Sequence, residues 1–366
     1  MRDINKAGEK KIGLAIAGLG FGESVHLPAI KSSSKFNLIA LWHPNKERLN
    51  KSCNIHSVKG YTEWKDVLED SRIEAIIIAT PPEIRFELSI EALKYGKHLL
   101  LEKPVALNSQ QVAEIQRVAL SKRLSIAVDF EYRCVPLFMQ TKKLLENNCI
   151  GSPWLIKLDW LMSSRANPSR HWNWYSEGSK GGGVIGALGT HAFDMLHWLI
   201  GPSESISALL STSIKERKDL VTNRIKSVSS EDIALIQLKL KAEDTIVPAQ
   251  ITLSSVSRQG RGCWIEIYGQ QGTLLLGSDN QSDYVHGFGL WFAPAGEKLQ
   301  PVNPDPEIAF RKTWTDGRVA PVAKIQDLWA ESIKSGLPMI PGLYEGLASQ
   351  RACDSAKDSA QTGMIQ

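Results

Sequence analysis

The residues able to do chemistry stand at the ends of short apolar runs. Lys11 to Ala17 leads into Gly18-Leu19-Gly20-Phe21-Gly22-Glu23. The first two glycines fit a dinucleotide fingerprint, one for a tight turn and one for the close approach of a pyrophosphate. The third comes one place early, because Glu23 holds the sixth position. The context is the one the fingerprint needs, with a strand before it and a helix (Glu23 to Lys31) after it. A second run, Ala75 to Ala79, ends in Thr80-Pro81-Pro82. A third, His98 to Leu101, ends in Glu102-Lys103-Pro104. Pro104 keeps the lysine backbone extended, and parallel sheets place ligands beyond the carboxyl ends of their strands. Lys103 is therefore a candidate for proton exchange with a bound molecule.

The elements that position these groups alternate. Asn37 to Trp42 is a second strand, Tyr61 to Glu69 a short helix, Ser109 to Ser121 a helix and Leu124 to Phe130 a strand. Between the second and third runs, Ile84, Leu88, Glu91 and Tyr95 fall along one side of a helix that Gly96 ends. This alternation predicts an α/β fold, with a doubly wound parallel sheet of Rossmann type over residues 1–128. About 20 residues past the glycines an NAD site carries an acidic residue for the ribose 2′-hydroxyl. His43 stands there, followed by Asn45, Lys46 and Arg48. Cations without a carboxylate would accept a 2′-phosphate, so the reading leans to NADP, although Lys46 and Arg48 read equally well as a solvated helix face. The candidate cofactor contacts are Gly18, Gly20, Phe21, Gly22, His43, Asn45, Arg48, Thr80, Pro81, Glu102, Lys103 and Trp172.

From about Asp129 the alternation stops. Pro136 to Asn147 reads as a helix. Strand-like runs follow at Trp154 to Met162, Ile206 to Thr212, Ile233 to Leu240, Ile246 to Ser255, Trp264 to Tyr268 and Thr273 to Leu276. Gly269 to Gly272 is a hairpin turn signal. Ser282 to Thr315, rich in Gly, Pro and Trp, reads as an exposed excursion, and Ala323 to Ser335 and Tyr344 to Gln361 as closing helices. Residues 129–366 are thus expected to form an α+β substrate and oligomerisation domain with a mostly antiparallel open sheet, its last helices packing back on the first domain. Trp172 and Trp174 would wall a pocket by stacking or fill an interface core. Tyr132, Arg133, Trp174 and Asp194 are candidate substrate contacts, but Arg133 would equally pair with Asp129 or Glu131. His191 sits in the apolar helix Gly189 to Leu199, where it would act on a proton or bond a carbonyl. Asp194, one turn on, shares its face, but the pair lacks a third ligand, so no metal is expected. His26, His197 and Trp198 read as helix packing.

Composition narrows the class. Of 366 residues, 43 are Lys or Arg and 39 Asp or Glu, a balance without basic runs that argues against nucleic acid. The five cysteines (Cys53, Cys134, Cys149, Cys263, Cys353) are dispersed and form no CxxC pair, as in a reduced, cytoplasmic protein. The polar start from Met1 to Lys11 lacks a signal-peptide core. No stretch approaches the roughly 20 apolar residues that cross a bilayer.

Together these residues resemble the glucose–fructose oxidoreductase / inositol dehydrogenase / rhizopine-catabolism (Gfo/Idh/MocA) family of NAD(P)-dependent oxidoreductases. The likeness spans nearly the whole chain. It rests on Gly18-Leu19-Gly20-Phe21-Gly22, Ala79-Thr80-Pro81-Pro82, Glu102-Lys103-Pro104, Arg133 with Pro136, and Gly181-Gly182-Gly183 ahead of Gly189-Thr190-His191-Ala192-Phe193-Asp194. The resemblance implies that Lys103 lies beside a nicotinamide and contacts the reacting hydroxyl while His191 handles its proton. It also implies a homodimer or homotetramer built through the C-terminal sheet. The implied substrate is a sugar, an inositol or a related small polyol. One departure stands out: Ala187 occupies the position, four residues before the histidine, where the family usually has an aspartate. Glu131, Tyr132, Tyr175 and Glu177 are candidate replacements. The gap also leaves room for glycoside cleavage by transient oxidation, or for a catalytically silent nucleotide sensor.

Overall fold

The structure is a computed structural model and describes residues 10–280 and 287–366. Strands β1 (Ile12–Ala17), β2 (Phe36–Trp42), β3 (Lys59–Tyr61), β4 (Ala75–Ile78), β5 (His98–Leu101) and β6 (Ile126–Val128) form one sheet in the order β3-β2-β1-β4-β5-β6. Every pairing in it is parallel. The strand direction of growth reverses between β1 and β4, the switch point outside which such sheets bind ligands. β1 and β4 are buried along their whole length, which is why they read as unbroken apolar runs. Helices α1 (Leu27–Ser32), α2 (Lys46–His56), α3 (Trp64–Glu69), α4 (Pro82–Lys94) and α5 (Ser109–Lys122) connect them.

One expectation for this sheet is corrected. Lys59–Tyr61 is a short edge strand, and the helix begins only at Trp64. Its pairing with Ala40 to Trp42 supplies the order that its own composition does not. In α4 the buried residues are Pro82, Arg85, Ser89, Ala92 and Leu93, whereas Ile84 and Tyr95 are 38% and 48% exposed. Within the four-residue row, Leu88 packs against the core while Ile84 and Tyr95 lie outward. The inward side carries polar Arg85 and Ser89, which a hydrophobicity pattern cannot flag.

After α6 (Pro136–Glu146), β7 (Pro153–Leu161) and α7 (Thr190–Leu199) comes the second sheet. Its further strands are β8 (Ser203–Ser211), β11 (Ile233–Ala242), β12 (Thr245–Ser254), β13 (Gly262–Gly269), β14 (Gly272–Ser278), β15 (Gly289–Pro294) and β16 (Gln300–Pro301). A separate ribbon pairs β9 (Glu216–Lys218) with β10 (Ile225–Ser227). Among the described residues the second sheet runs β16-β15-β14-β13-β7-β12-β11-β8, antiparallel except where β12 meets β7. β15 and β16 correct the expected excursion: the stretch from Gly289 extends the sheet by pairing with β14. Residues 281–286 lie outside the described residues.

Burial alternates along β11 and β12, so Ile236, Leu238, Leu240, Val247, Ile251 and Leu253 face a core shared with Phe193, Met195 and Leu196 of α7. This period of two is the mark of a sheet covered on one side. Two final helices join the halves. In α8 (Val319–Ser335), Ile325 and Trp329 pack with Leu14 and Ile16 of β1. In α9 (Leu343–Thr362), Leu343 and Leu347 join the core of the first sheet, while Ala352, Cys353 and Ala356 join that of the second. No helix among the described residues is long and apolar enough to cross a membrane, and the five cysteines are free.

Candidate active site

A cavity of about 820 Å³ opens at the carboxyl ends of β1, β4 and β5, roofed by residues of the second half. Gly18 begins its floor with φ +101°, a conformation that favours glycine. A Cβ there would lie 2.6 Å from the Ala79 carbonyl oxygen, so the turn packs backbone against backbone. A Cβ on Gly20 would meet nothing within 4 Å, leaving its peptide open to the cavity. These two positions fit a dinucleotide's pyrophosphate. Gly22 lies outside the walls, where a Cβ would press on Ile16 and Ala79 at 3.0 and 3.3 Å. It serves helix–strand contact, as the third fingerprint glycine does.

Phe21, His43, Arg48, Thr80 and Pro81 line this end of the cavity. Arg48 Nη2 donates to the Leu19 carbonyl at 2.7 Å, so its guanidinium lies across the glycine turn. Burial and then the Arg48 charge lower the His43 pKa. Asn45 caps α2: its Oδ1 accepts from Arg48 N at 2.8 Å, and it is not among the residues lining the cavity. Trp172 is also placed elsewhere. Its indole donates to the Ser227 carbonyl at 3.2 Å under Lys226, against the small ribbon.

The cavity's inner end brings Lys103, Glu131, Tyr132, Trp160, Trp174, Ala187 and His191 together. Lys103, whose peptide bond to Pro104 is cis, donates from Nζ to the Ala187 carbonyl at 3.2 Å. A backbone oxygen is thus the lysine's acceptor at the position without a carboxylate. His191 is buried beneath the ring of Tyr132, with centroids 4.9 Å apart. Its Nε2 stands 3.6 Å from Glu131 Oε2. Burial and then Lys103 push the imidazole well below its ordinary pKa, so it is neutral. Burial pushes the Glu131 carboxyl the other way, to about 7, against the opposing pull of Lys103.

Arg133 and Asp194 are not wall residues. They form a buried bidentate pair, Nε and Nη2 donating to the carboxylate at 2.9 and 2.7 Å. Neither Asp129 nor Glu131 is the arginine's partner, and the pair fastens α7 to the segment after β6. Burial raises the Asp194 carboxyl to about 6 even with Arg133 opposing the shift.

Arg85, itself a wall residue, and Gln326 escaped the reading of the sequence, and His26 was read only as packing. Arg85 is fully buried and donates to the carbonyls of Glu102 (2.6 Å), Pro104 and Thr80, clamping the ends of β4 and β5. His26 is more than packing: its Nε2 lies 2.8 Å from Glu102 Oε1, in hydrogen-bond contact, and 3.6 Å from Asp129, while Gln326 Nε2 of α8 lies 3.2 Å from its Nδ1. The ligand-type atoms of His26, Glu102 and Asp129 lie within 4.8 Å of one another. Burial tends to raise the Glu102 carboxyl, but the hydrogen bond and charge of His26, with Lys103 and Asp129, hold it low and ionised. Asp129 goes the opposite way, raised by burial and then by the adjoining Glu102 and Glu131. A helix running one turn past the glycines onto His26 was the only local signal. Arg85 and Gln326 had none.

A parallel switch-point crevice, a glycine turn beneath it and a lysine facing an imidazole define a dinucleotide-dependent oxidoreductase. The chain belongs to the Gfo/Idh/MocA oxidoreductases. The family's model described as "NAD-binding Rossmann fold" matches residues 12–130, and its "C-terminal alpha/beta domain" matches residues 142–366. An uncharacterized oxidoreductase of Synechocystis sp. is 41% identical over 350 residues, 95% of this chain and 94% of that protein. Glucose-6-phosphate 3-dehydrogenase of Bacillus subtilis is 24% identical over 94% of this chain and 95% of its own. Levoglucosan dehydrogenase of Pseudarthrobacter phenanthrenivorans is 31% identical, over 43% of this chain and 40% of that protein. A solved levoglucosan dehydrogenase, in complex with NADH and L-sorbose, superposes with a TM-score of 0.86 at 21% identity, covering 98% of each chain. The fold of this chain is therefore that of the family throughout.

Proposed function

We propose that this NAD(P)-dependent oxidoreductase oxidises a hydroxyl-bearing carbon of a sugar, inositol or related small polyol, or reduces the matching carbonyl. The observation that carries the reading is the convergence of Lys103 and His191 on the cavity that Gly18 and Gly20 floor. Relatives named for glucose 6-phosphate and levoglucosan support the substrate class. Residues 1–128 would hold the dinucleotide, and residues 129–366 would supply the substrate walls, among them Tyr132 and Trp174. When bound, the nicotinamide supplies the hydride acceptor or donor. Lys103 hydrogen-bonds the reacting oxygen and stabilises the charge that develops on it. Tyr132, Trp160 and Trp174 exclude water and offer stacking faces to a sugar ring. His43 and Arg48 form the far end of the cavity, which supports a preference for NADP.

The outer face of the second sheet leaves Leu209, Leu235 and Ile246 exposed, which supports pairing of copies through that face. Sedimentation equilibrium of the purified protein distinguishes monomer from dimer or tetramer.

The activity is tested with NAD and NADP against a sugar panel that includes glucose 6-phosphate and levoglucosan. Lys103→Ala should cut turnover by about 10²-fold or more, while the reduced nucleotide still raises the melting temperature. Near-normal turnover in that variant refutes the assignment.

A further inference from the structure

Glu131 is a wall residue of the cavity, yet it is buried to the same degree as the hydrophobic core. Its Oε2 has no hydrogen-bond partner among the described residues. A sealed carboxylate oxygen without a donor is costly, and such groups are kept where they perform a task. The nearest imidazole nitrogen, His191 Nε2, stands 3.6 Å away, a separation that a ligand-bound site can close to a hydrogen bond. The charged and titratable groups around Glu131 are Lys103 and Arg318 on the positive side, Glu102 and Asp129 on the acidic side, and His191.

We propose that Glu131 is a catalytic residue of this site: its carboxylate, and not the His191 imidazole, is the resting place of the proton that leaves the substrate hydroxyl. The inference rests on the oxidoreductase reading above. A proton on His191 would set a second cation beside the Lys103 ammonium in a dry site. The same proton on Glu131 cancels a charge. The opposite pKa shifts of the two groups accord with this, the carboxyl raised by burial and the imidazole lowered by burial and Lys103.

In the oxidation, the substrate C–H bond breaks and its electron pair leaves as hydride to C4 of an oxidised nicotinamide dinucleotide. The O–H bond breaks, a carbonyl forms, and the proton makes a new O–H bond on Glu131. The neutral carboxyl returns that proton to water once the product leaves. His191 then acts as a positioning residue, its ring steadying the carboxylate.

Two measurements decide the matter. The first needs no substrate: full-length protein labelled with ¹³C-carboxyl glutamate is titrated by NMR. One signal should titrate near pH 7 and be missing from Glu131→Gln, and carboxyls that all titrate below about pH 5 would overturn the proposal. The second uses the panel sugar that the wild type oxidises fastest. Its kcat/KM should rise with pH through about 7. Glu131→Gln should lose that rise and about 10²-fold in rate, while Glu131→Asp and His191→Asn keep the rise at reduced rates. Retention of the rise in Glu131→Gln, within threefold of wild-type rate, overturns the proposal. If Glu131→Gln does not fold, loss of the rise in Glu131→Asp overturns it instead. Absence of both nucleotide binding and sugar turnover would defeat the oxidoreductase reading, and the NMR titration would still judge Glu131.

Discussion

Replacing Arg85 by methionine asks whether the floor of the active site is held by a side chain or by the sheet alone. The guanidinium donates to three carbonyl oxygens, those of Thr80, Glu102 and Pro104, from two different strand ends. Hydrogen bonds from a charged donor contribute about 1.5–3 kcal/mol each, which gives about 5–9 kcal/mol for three. Against this, complete burial pulls the guanidinium down to about 10, a penalty of roughly 3 kcal/mol at 1.36 kcal/mol per pKa unit. The balance leaves a loss on the order of 4 kcal/mol for Arg85→Met, and about half of that for Arg85→Lys, whose single ammonium cannot span both strand ends. Urea unfolding with an unchanged slope measures it. Because Thr80 and Glu102 are cavity walls, calorimetry should also find the nucleotide bound at least tenfold more weakly. An Arg85→Met protein within about 1 kcal/mol of wild type, with unaltered nucleotide affinity, would refute the clamp.

Gly18→Val would place a branched side chain at φ +101°, with its Cβ 2.6 Å from the Ala79 oxygen. The variant should lose the thermal shift given by NADH or NADPH, and an undiminished shift would contradict the pyrophosphate turn. The His197 imidazole is pulled down to about 4 by burial and then by Arg133. The unfolded chain therefore takes up a proton at a pH where the folded one does not, and stability is full above about pH 6.5 and lost towards pH 4. Roughly 3 kcal/mol should go over that window. His197→Gln should flatten this part of the pH profile in urea melts, and an unchanged profile would assign the loss to other groups.

How much of this was legible depended on whether the cause was local. β1, β4 and β5 are buried on both sides, so their apolar runs and the Gly or Pro that ends them were readable directly, and Gly18, Thr80 and Lys103 came with them. β3 has three residues, two of them exposed, and exists because β2 offers it an edge. β15 lies in a Gly- and Trp-rich stretch, where only its pairing with β14 makes it a strand. In α4 the row through Ile84 and Leu88 was readable, but the buried polar Arg85 and Ser89 were not. Arg133 and Asp194 were both singled out, but as contacts to a ligand, and nothing in their spacing showed that they satisfy each other across 61 residues. Glu131 appeared as a partner for Arg133 and as one of four replacements for the absent aspartate, since its approach to His191 depends on how α7 docks against the segment after β6.

The arrangement of charge at the base of the cavity explains why one of these carboxyls must hold a proton. Glu102, Asp129 and Glu131 are all buried at the ends of two adjacent strands, where three negative charges could not share a low-dielectric space. His26 hydrogen-bonds Glu102 and keeps it ionised. Burial and then the charges of Glu102 and Glu131 push the Asp129 carboxyl well above its ordinary pKa. Glu131 is the third, faced by Lys103 and adjoining the cavity, and it alone of the three is balanced near neutrality. Glu102 is thus held ionised, Asp129 pushed toward its neutral form, and Glu131 balanced near neutrality on the cavity wall. On the proposal above, an alanine at position 187 need not cost the site its acid–base function, because Glu131, just after β6, supplies the group that exchanges the proton.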